Sequence, residues 1–454
     1  MNLKPEFESD LLNLFGAEAS AMLSAIANTA PVVSVRVNSL KGASVPHGAE
    51  QVPWCPQGFY LPERRPFTFD PDFHSGRYYV QDASSMFIAH VIRQVVGAPV
   101  RYLDLCAAPG GKTMAALSVL PAGSFVVANE IVAQRARVLA DNVMRWGDSR
   151  CMVTNSSPRD LGRLAGFFDV VAADVPCSGE GMFRKDAEAV AQWSPALVAE
   201  CAARQRSIVA DVWPSLRPGG IFIYSTCTFN RAENEDIIEH IVAAYGAEPL
   251  VISVEEEWGV HGAAVGHNPC YRFLPHKVRG EGLFMCVLRK PEQATVRPLS
   301  VKKIKPVRPS FPAEARNWLT CDYALSEVNG VVRAVSQAHA QVVDFLCDNL
   351  RVLQAGIAVG TQKGRNLVPA QALALATDVA RGAFAECDVD YGTAIAYLRG
   401  EAIGLQAPRG YVLVTYRGAP LGFVNNLGNR ANNLYPKPLR ILSTNAPATA
   451  PAVL

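Results

Sequence analysis

The sequence predicts an α/β protein built on a doubly wound, mostly parallel sheet, and three observations carry that prediction. Short apolar runs alternate with stretches of helical spacing from about residue 100 to residue 225, the pattern of repeated βαβ units. Acids close two of those runs, at Glu130 and Asp174, on the edge where a parallel sheet receives its ligands. A turn of small residues, Cys106-Ala107-Ala108-Pro109-Gly110-Gly111-Lys112, separates the first run from its helix.

Size and composition set the frame. With 454 residues, 49% of them hydrophobic, the chain is too long for one ordinary domain and can bury a sizeable core. Its formal net charge is +2, so any nucleic-acid surface must be a local patch. The eleven cysteines are odd in number and include no Cys-x-x-Cys pair. That argues against a disulfide framework and against a thiolate zinc site, so no metal is expected. The first residues lack the apolar core of a signal peptide, and no apolar run reaches membrane-spanning length. The expectation is a soluble, cytoplasmic monomer without membrane partners.

Residues 1–75 read as a small α+β unit. Asp10 to Ala27 has helical spacing of apolar residues, and Pro31 to Leu40 alternates as a half-buried strand. Val33, Val35 and Val37 take one face of that strand; Ser34, Arg36 and Asn38 take the face expected to be exposed. Residues 76–290 hold the predicted sheet. Its strands are 100–105, 124–130, 151–154, 168–173 and 221–225, and helices are expected at 114–120, 132–146 and 193–216. Residues 291–313 carry five prolines and the basic residues Lys302, Lys303, Lys305 and Arg308, the composition of a linker. Residues 314–454 read as a β-rich domain. Tyr411 to Tyr416 and Leu421 to Val424, with Arg417-Gly418 between them, form a hairpin signal. Arg430, Lys437 and neighbouring Asn and Tyr residues suit either a nucleic-acid surface or a solvated β-face.

The chemistry-bearing residues lie at the ends of the predicted strands. The Cys106–Lys112 turn lacks the first glycine of a phosphate loop and the spacing of a dinucleotide loop. A methionine-bearing nucleoside, with one carboxylate, one ribose and no phosphate, suits it better, and Glu130 is positioned to hold ribose hydroxyls. Cys177 and Cys227 both follow strands of the same sheet and can converge above that cofactor. Methylation of a nitrogen needs no thiol. Carbon-5 of a pyrimidine does, because a thiolate adding to carbon-6 makes carbon-5 nucleophilic. Asp174 is placed to hydrogen-bond ring nitrogen 3 and offset the developing charge.

Three segments carry a resemblance. Asp104-Leu-Cys-Ala-Ala-Pro-Gly-Gly-Lys-Thr113, Asp174-Val-Pro-Cys-Ser-Gly-Glu-Gly181 and Ser225-Thr-Cys-Thr-Phe-Asn-Arg-Ala-Glu-Asn-Glu235 resemble, in order and spacing, the signature motifs of the Sun-type RNA cytosine-5 methyltransferases. The resemblance covers about residues 76–290. More loosely, the Arg36-x-Asn38 strand is similar to that family's N-terminal RNA-contacting unit. The Gly428–Lys437 segment is similar to the C-terminal RNA-binding domain of its F branch, a PUA-like domain.

The resemblance implies a Rossmann-like, S-adenosylmethionine-dependent core acting on RNA, with small-subunit ribosomal RNA as the expected substrate. Cys106, Ala107, Ala108, Pro109, Gly110, Gly111 and Lys112 would cradle the methionine part of the cofactor. Glu130 would hold the ribose, and Asp174 the cofactor or the target base. Cys227 would be the nucleophile and Cys177 would resolve the adduct. Arg184 and Lys185 would face the base or a phosphate, and Lys185 would belong to the catalytic set. Arg36, Asn38, Arg430 and Lys437 would contact RNA. The family often has an acid beside the adenine after the third strand; Ser157 stands there instead. Two other readings are an assembly factor that binds RNA without catalysis, and a DNA cytosine-5 methyltransferase in which the Pro-Cys thiol attacks.

Overall fold

The computed structural model describes residues 2–293, 314–364 and 366–454. The basic linker residues from Lys302 to Arg308 lie outside the described residues. The chain opens with α1 (Pro5–Phe15) and α2 (Ala19–Asn28). The sequence pattern suggested one helix here. Gly16, at φ 55°, caps α1 and splits it in two, a conformation that glycine adopts without steric cost.

A four-stranded antiparallel sheet follows, in the order β2-β3-β1-β4. Its strands are β1 (Ser34–Val37), β2 (Glu50–Val52), β3 (Cys55–Tyr60) and β4 (Tyr78–Val80). Because β4 pairs with β1, this sheet runs past residue 75 to Val80. The half-buried reading of β1 needs correction: all four of its residues are buried, and Arg36 and Asn38 are both at 0% exposure. The polar side of β1 faces the larger domain, not water. Arg36 Nε donates to Gln81 Oε1 (2.9 Å) and its Nη1 to Ser118 Oγ (2.7 Å), and its guanidinium lies 4.5 Å from the Trp146 ring centroid. Asn38 Nδ2 donates to the carbonyls of Gly76 and Trp146. Neither side chain is presented to RNA; both join the first unit to the second.

The central sheet is built from β5 (Arg101–Asp104), β6 (Phe125–Asn129), β7 (Cys151–Thr154), β8 (Phe168–Asp174), β9 (Leu216–Thr226), β10 (Glu248–Pro249), β11 (Cys270–Phe273) and β12 (Leu283–Arg289). Strands β9-β8-β5-β6-β7 are parallel neighbours in that order. The strand order reverses at β5, so the crevice between β5 and β8 is a topological switch point. Antiparallel β12 extends the sheet beyond β9 and carries β10 and β11.

Both faces are apolar. Tyr102, Val126, Ala128, Val170 and Ile223 point to one side, and Leu103, Phe125, Val127, Val171 and Phe222 to the other. This is the near-continuous hydrophobicity that a doubly covered parallel strand requires. Helices α4 (Phe87–Val95), α5 (Gly111–Leu117) and α6 (Ala133–Trp146) cover the first side. Helices α7 (Pro158–Gly162), α9 (Pro195–Val212) and α10 (Glu235–Tyr245) cover the second. The short helices α3 (Pro71–His74) and α8 (Ala187–Gln192) sit in the connections.

From residue 314 the chain forms two further four-stranded sheets, β13-β14-β16-β17 and β18-β19-β20-β21. The first comprises β13 (Tyr323–Val328), β14 (Val331–Ser336), β16 (Ile357–Lys363) and β17 (Asn366–Pro369). Between β14 and β16, strand β15 (Val352–Ala355) leaves to pair antiparallel with β7, and so closes that edge of the central sheet. The last sheet is β18 (Ala385–Asp388), β19 (Gly410–Tyr416), β20 (Ala419–Asn426) and β21 (Ala431–Asn433). It contains the predicted hairpin, β19–β20. Leu413 and Phe423 of this hairpin pack with Val332 and Val359 of the preceding sheet.

Candidate active site

The carboxyl ends of β5, β6, β8 and β9 gather the residues that the sequence singles out. Asp174 ends β8 opposite Ser225 of β9. The Ser225 hydroxyl donates to Asp174 Oδ1, and the Lys112 ammonium donates to Oδ2, each at 2.8 Å. Lys112 is expected at the methionine part of a cofactor; its ammonium here is bound to Asp174. Burial works against the Lys112 charge, but the pairing with Asp174 outweighs it and its pKa is raised. Asp104, fully buried below, accepts from Thr113 Oγ1 at 2.6 Å. Burial pushes its carboxyl up to about 7, with a smaller push from Asp174.

The two thiols meet. Cys177 Sγ lies 3.2 Å from Cys227 Sγ, on the loops that leave adjacent strands β8 and β9. Its contact with Cys227, then burial, then the Cys227 and Glu233 charges hold the Cys177 thiol well above its ordinary pKa. Cys227 is among the neighbours that raise the Lys112 pKa.

The loops themselves are fixed by residues that the sequence reading did not select. Glu180 Oε2 accepts from the backbone amides of Phe229 (2.6 Å) and Asn230 (3.0 Å), and Oε1 accepts from Trp193 Nε1 (2.9 Å). Glu233 Oε2 accepts from the Ser178 amide (2.9 Å) and Gln205 Nε2 (2.8 Å). The Asn230 amide reaches both acids, at 2.9 Å and 2.7 Å. Ser178 and Thr228 hydroxyls meet at 3.0 Å, and Gly181 N donates to the Cys227 carbonyl at 2.8 Å. A run of Glu, Asn and Ser in loops after two strands was the available signal; which partner each would meet depends on strand order.

The residues expected to hold a cofactor follow β5 and β6. Gly110 has φ 117°, which a side chain would strain. The Ala107 amide donates to the Asn129 carbonyl, and Arg135 and Asn142 hold the carbonyls of Ala108 and Pro109. Cys106 is partly covered; burial, then Glu130 and Asp174, push its thiol up. Glu130 is buried. Its Oε1 accepts from Val132 N (2.9 Å), while Oε2 accepts no hydrogen bond and has Arg135 Nη1 at 3.4 Å as an ion pair. A buried carboxylate oxygen with spare acceptor capacity, beside a loop of small residues, fits a ribose.

Other expected site residues are placed differently. The Ser157 hydroxyl donates to Asp160 Oδ2 (2.7 Å) and accepts from Asp160 N (3.2 Å), forming a capping box at the start of α7. Its hydroxyl is committed to that helix and not to an adenine. The Arg184 side chain is only 5% exposed. It pairs with Glu281 at 2.8 Å and donates to Thr29 and to the Gly280 carbonyl, so it braces the thiol loop instead of facing a nucleic acid. Lys185, next to it, is exposed, with Nζ 3.4 Å from Glu281. Arg430 and Lys437 are exposed on the last sheet and the segment that follows it. Among the described residues, no cluster of metal-ligating side chains occurs and no helix is long and apolar enough to cross a membrane.

Comparison with known proteins agrees with this architecture. Residues 98–289 match the 16S rRNA methyltransferase RsmB/F family, residues 3–83 the N-terminal domain of 16S rRNA methyltransferase RsmF, and residues 384–441 the methyltransferase RsmF PUA domain. Ribosomal RNA small subunit methyltransferase F of Cronobacter sakazakii is 30% identical over 434 residues, spanning 89% of each chain. Its Klebsiella pneumoniae counterpart is 29% identical over 435 residues, 89% of this chain and 90% of the relative. Among solved structures, a methyltransferase homolog protein from Pyrococcus horikoshii is 25% identical with a TM-score of 0.50, covering 63% of this chain and 100% of that one. NSun6 from Pyrococcus horikoshii, crystallised with SFG, is 20% identical with a TM-score of 0.53 over 63% of this chain and 98% of its own, a likeness of fold. The Rossmann-like core, the N-terminal unit and the C-terminal PUA domain together establish that this chain belongs to the ribosomal RNA small subunit methyltransferase F family, a family of RNA methyltransferases.

Proposed function

We propose that this protein methylates carbon-5 of a cytidine in RNA, with small-subunit ribosomal RNA as the substrate, through a covalent adduct to Cys227. The observation that carries this reading is the pair of thiols at 3.2 Å beside an aspartate held by Lys112 and Ser225. Nitrogen or ribose methylation has no use for that pair.

The chemistry follows from the residues. Cys227 attacks carbon-6 as the thiolate. Electron density moves to carbon-5 and ring nitrogen 3. The Lys112 ammonium passes a proton through Asp174 to nitrogen 3, which offsets this charge, and the proton returns as the 5,6 double bond reforms. The Cys106–Gly111 loop and Glu130 would hold S-adenosylmethionine, which would supply the methyl as an electrophile on a sulfonium sulfur. A base then removes the carbon-5 proton, the ring pair reforms the 5,6 double bond and the Cys227 sulfur departs. Cys177, 3.2 Å away and held protonated, donates its S–H to the departing thiolate. Lys185, Arg430 and Lys437, all exposed, are proposed to meet the RNA backbone. Reaching carbon-6 requires that the cytosine leave its stack.

The test uses the full chain, labelled S-adenosylmethionine and RNA from a strain lacking the gene. The Cys177→Ala variant should accumulate a denaturation-resistant protein–RNA adduct, and Cys227→Ala should form none. An adduct that requires Cys177 would reverse the roles, and no label in RNA from the intact chain would overturn the catalytic reading.

A further inference from the structure

The two thiols occupy comparable positions, Cys177 three residues past the end of β8 and Cys227 directly after β9. What differs is the charge around them. On one side Lys112, bonded to Asp174, sets an ammonium near Cys227. On the other, Glu233 reaches across from the loop after β9 and accepts the amide of Ser178, the residue next to Cys177. Three donors converge on the Glu233 carboxylate: Ser178 N at 2.9 Å, Gln205 Nε2 at 2.8 Å and Asn230 Nδ2 at 2.7 Å. Gln205 also holds the Pro176 carbonyl at 3.0 Å, so Pro176, Cys177 and Ser178 are tied to the same acid through two links. All three donors present N–H, which matches an ionised, acceptor-only carboxylate. Burial, with a smaller push from Glu180, raises its pKa, and the bonds from Ser178 and Asn230 offset part of that rise.

We propose that Glu233 is a positioning residue that assigns the two thiols their roles, by fixing the Cys177 loop against the Cys227 loop and by setting a negative charge beside Cys177. Glu180 is the structural half of the same clamp. It ties Trp193 and the amides of Phe229 and Asn230 together, on the Cys227 side of the clamp. The charged and titratable groups facing Cys177 are Cys227 and Glu233, with Tyr224 beneath, whose own phenol feels the Cys177 charge. A carboxylate there opposes ionisation of Cys177 and leaves its proton available to the departing sulfur. The proposal rests on the thiol roles given above, and its test separates the two.

The experiment compares wild type, Glu233→Gln, Glu233→Asp and Glu180→Gln. Iodoacetamide alkylation of each thiol is followed against pH by peptide mapping. Removing a buried charge near a thiol shifts its pKa by about one unit, so Cys177 in Glu233→Gln should alkylate about tenfold faster near neutral pH. Glu233→Asp keeps the charge and should keep the wild-type profile, and Glu180→Gln should also leave it in place. An unchanged Cys177 profile in Glu233→Gln, or the same acceleration in Glu180→Gln, would reduce Glu233 to a loop brace and overturn the proposal. In parallel, RNA containing 5-fluorocytidine traps the adduct. The adduct should map to Cys227 in wild type and partly to Cys177 in Glu233→Gln. If wild type forms no adduct on either thiol, the covalent reading fails, while the alkylation profiles still decide the role of Glu233.

Discussion

Arg36 separates two roles that the sequence alone cannot distinguish, and its truncation is the sharpest test of the fold. Its side chain has no exposure and no carboxylate among its hydrogen-bond partners. Burial lowers its pKa to about 10, so it stays charged at neutral pH. Two hydrogen bonds from a charged donor contribute about 1.5–3 kcal/mol each, and the contact with Trp146 about 2 kcal/mol when desolvated. Against these stands the cost of burying a cation, several kcal/mol. The terms nearly cancel, so the charge contributes little by itself. Arg36→Ala removes more than the charge. It opens a void under the ring of Trp146 and leaves Gln81 Oε1 and Ser118 Oγ without the donor they face. A cost of about 3 kcal/mol is expected. At about 2–4 °C per kcal/mol for a unit of 150–250 residues, the melting temperature should fall by about 6–12 °C. Arg36→Met keeps the apolar stem and should recover about half of that loss. The companion assay is RNA affinity against salt. A lost phosphate contact would make the slope shallower by about 1, whereas a buried strut leaves it unchanged. An unaltered melting temperature with a shallower slope would refute the burial argument and restore Arg36 as an RNA contact.

Two other outcomes follow from the charges at the site. Asp104 has its pKa raised to about 7 by burial, so its favourable contribution to stability is complete below its unfolded value and is lost as pH rises through about 7. Melting temperature should therefore decline across that window in wild type, and Asp104→Asn should flatten the decline; an equal slope in both proteins would show that Asp104 is not the titrating group. Lys112→Met should leave a folded protein, because its pair with Asp174 is partly open to solvent, yet lower single-turnover methyl transfer about 100-fold. A rate near wild type would show that Asp174 works without that ammonium.

Legibility followed the range of the interactions. The Gly-Gly turn, the acids at strand ends and both thiols are local features, and the structure brings them to one edge because parallel strands all end on the same side. Arg36 and Asn38 were misplaced for a different reason. Alternation along β1 says that its two faces differ, but not that Ser118 and Trp146 cover the polar one. Ser157 carried a readable signal that went unused: Ser-Pro-x-Asp is a helix start, and Asp160 takes its hydroxyl. Strand β15 was beyond reach. Four residues late in the chain close the β7 edge of a sheet assembled much earlier, and nothing local announces that pairing.

The same distinction explains why the sheet alone does not make the active site. Parallel pairing of β8 and β9 in the register Asp174 to Ser225 brings two sulfur atoms within 3.2 Å. Left to that geometry, the thiols would be close to interchangeable, and a nucleophile that shares its proton with an equal neighbour has no fixed identity. The asymmetry comes from outside the two strands. Lys112 arrives from the turn after β5, and Glu233 from the loop that leads to α10. Each lies on a different crossover, so opposite charges approach the pair from opposite sides. The apolar sheet fixes how far apart the sulfurs are, and the proposal assigns their separate roles to the buried polar bonds above it.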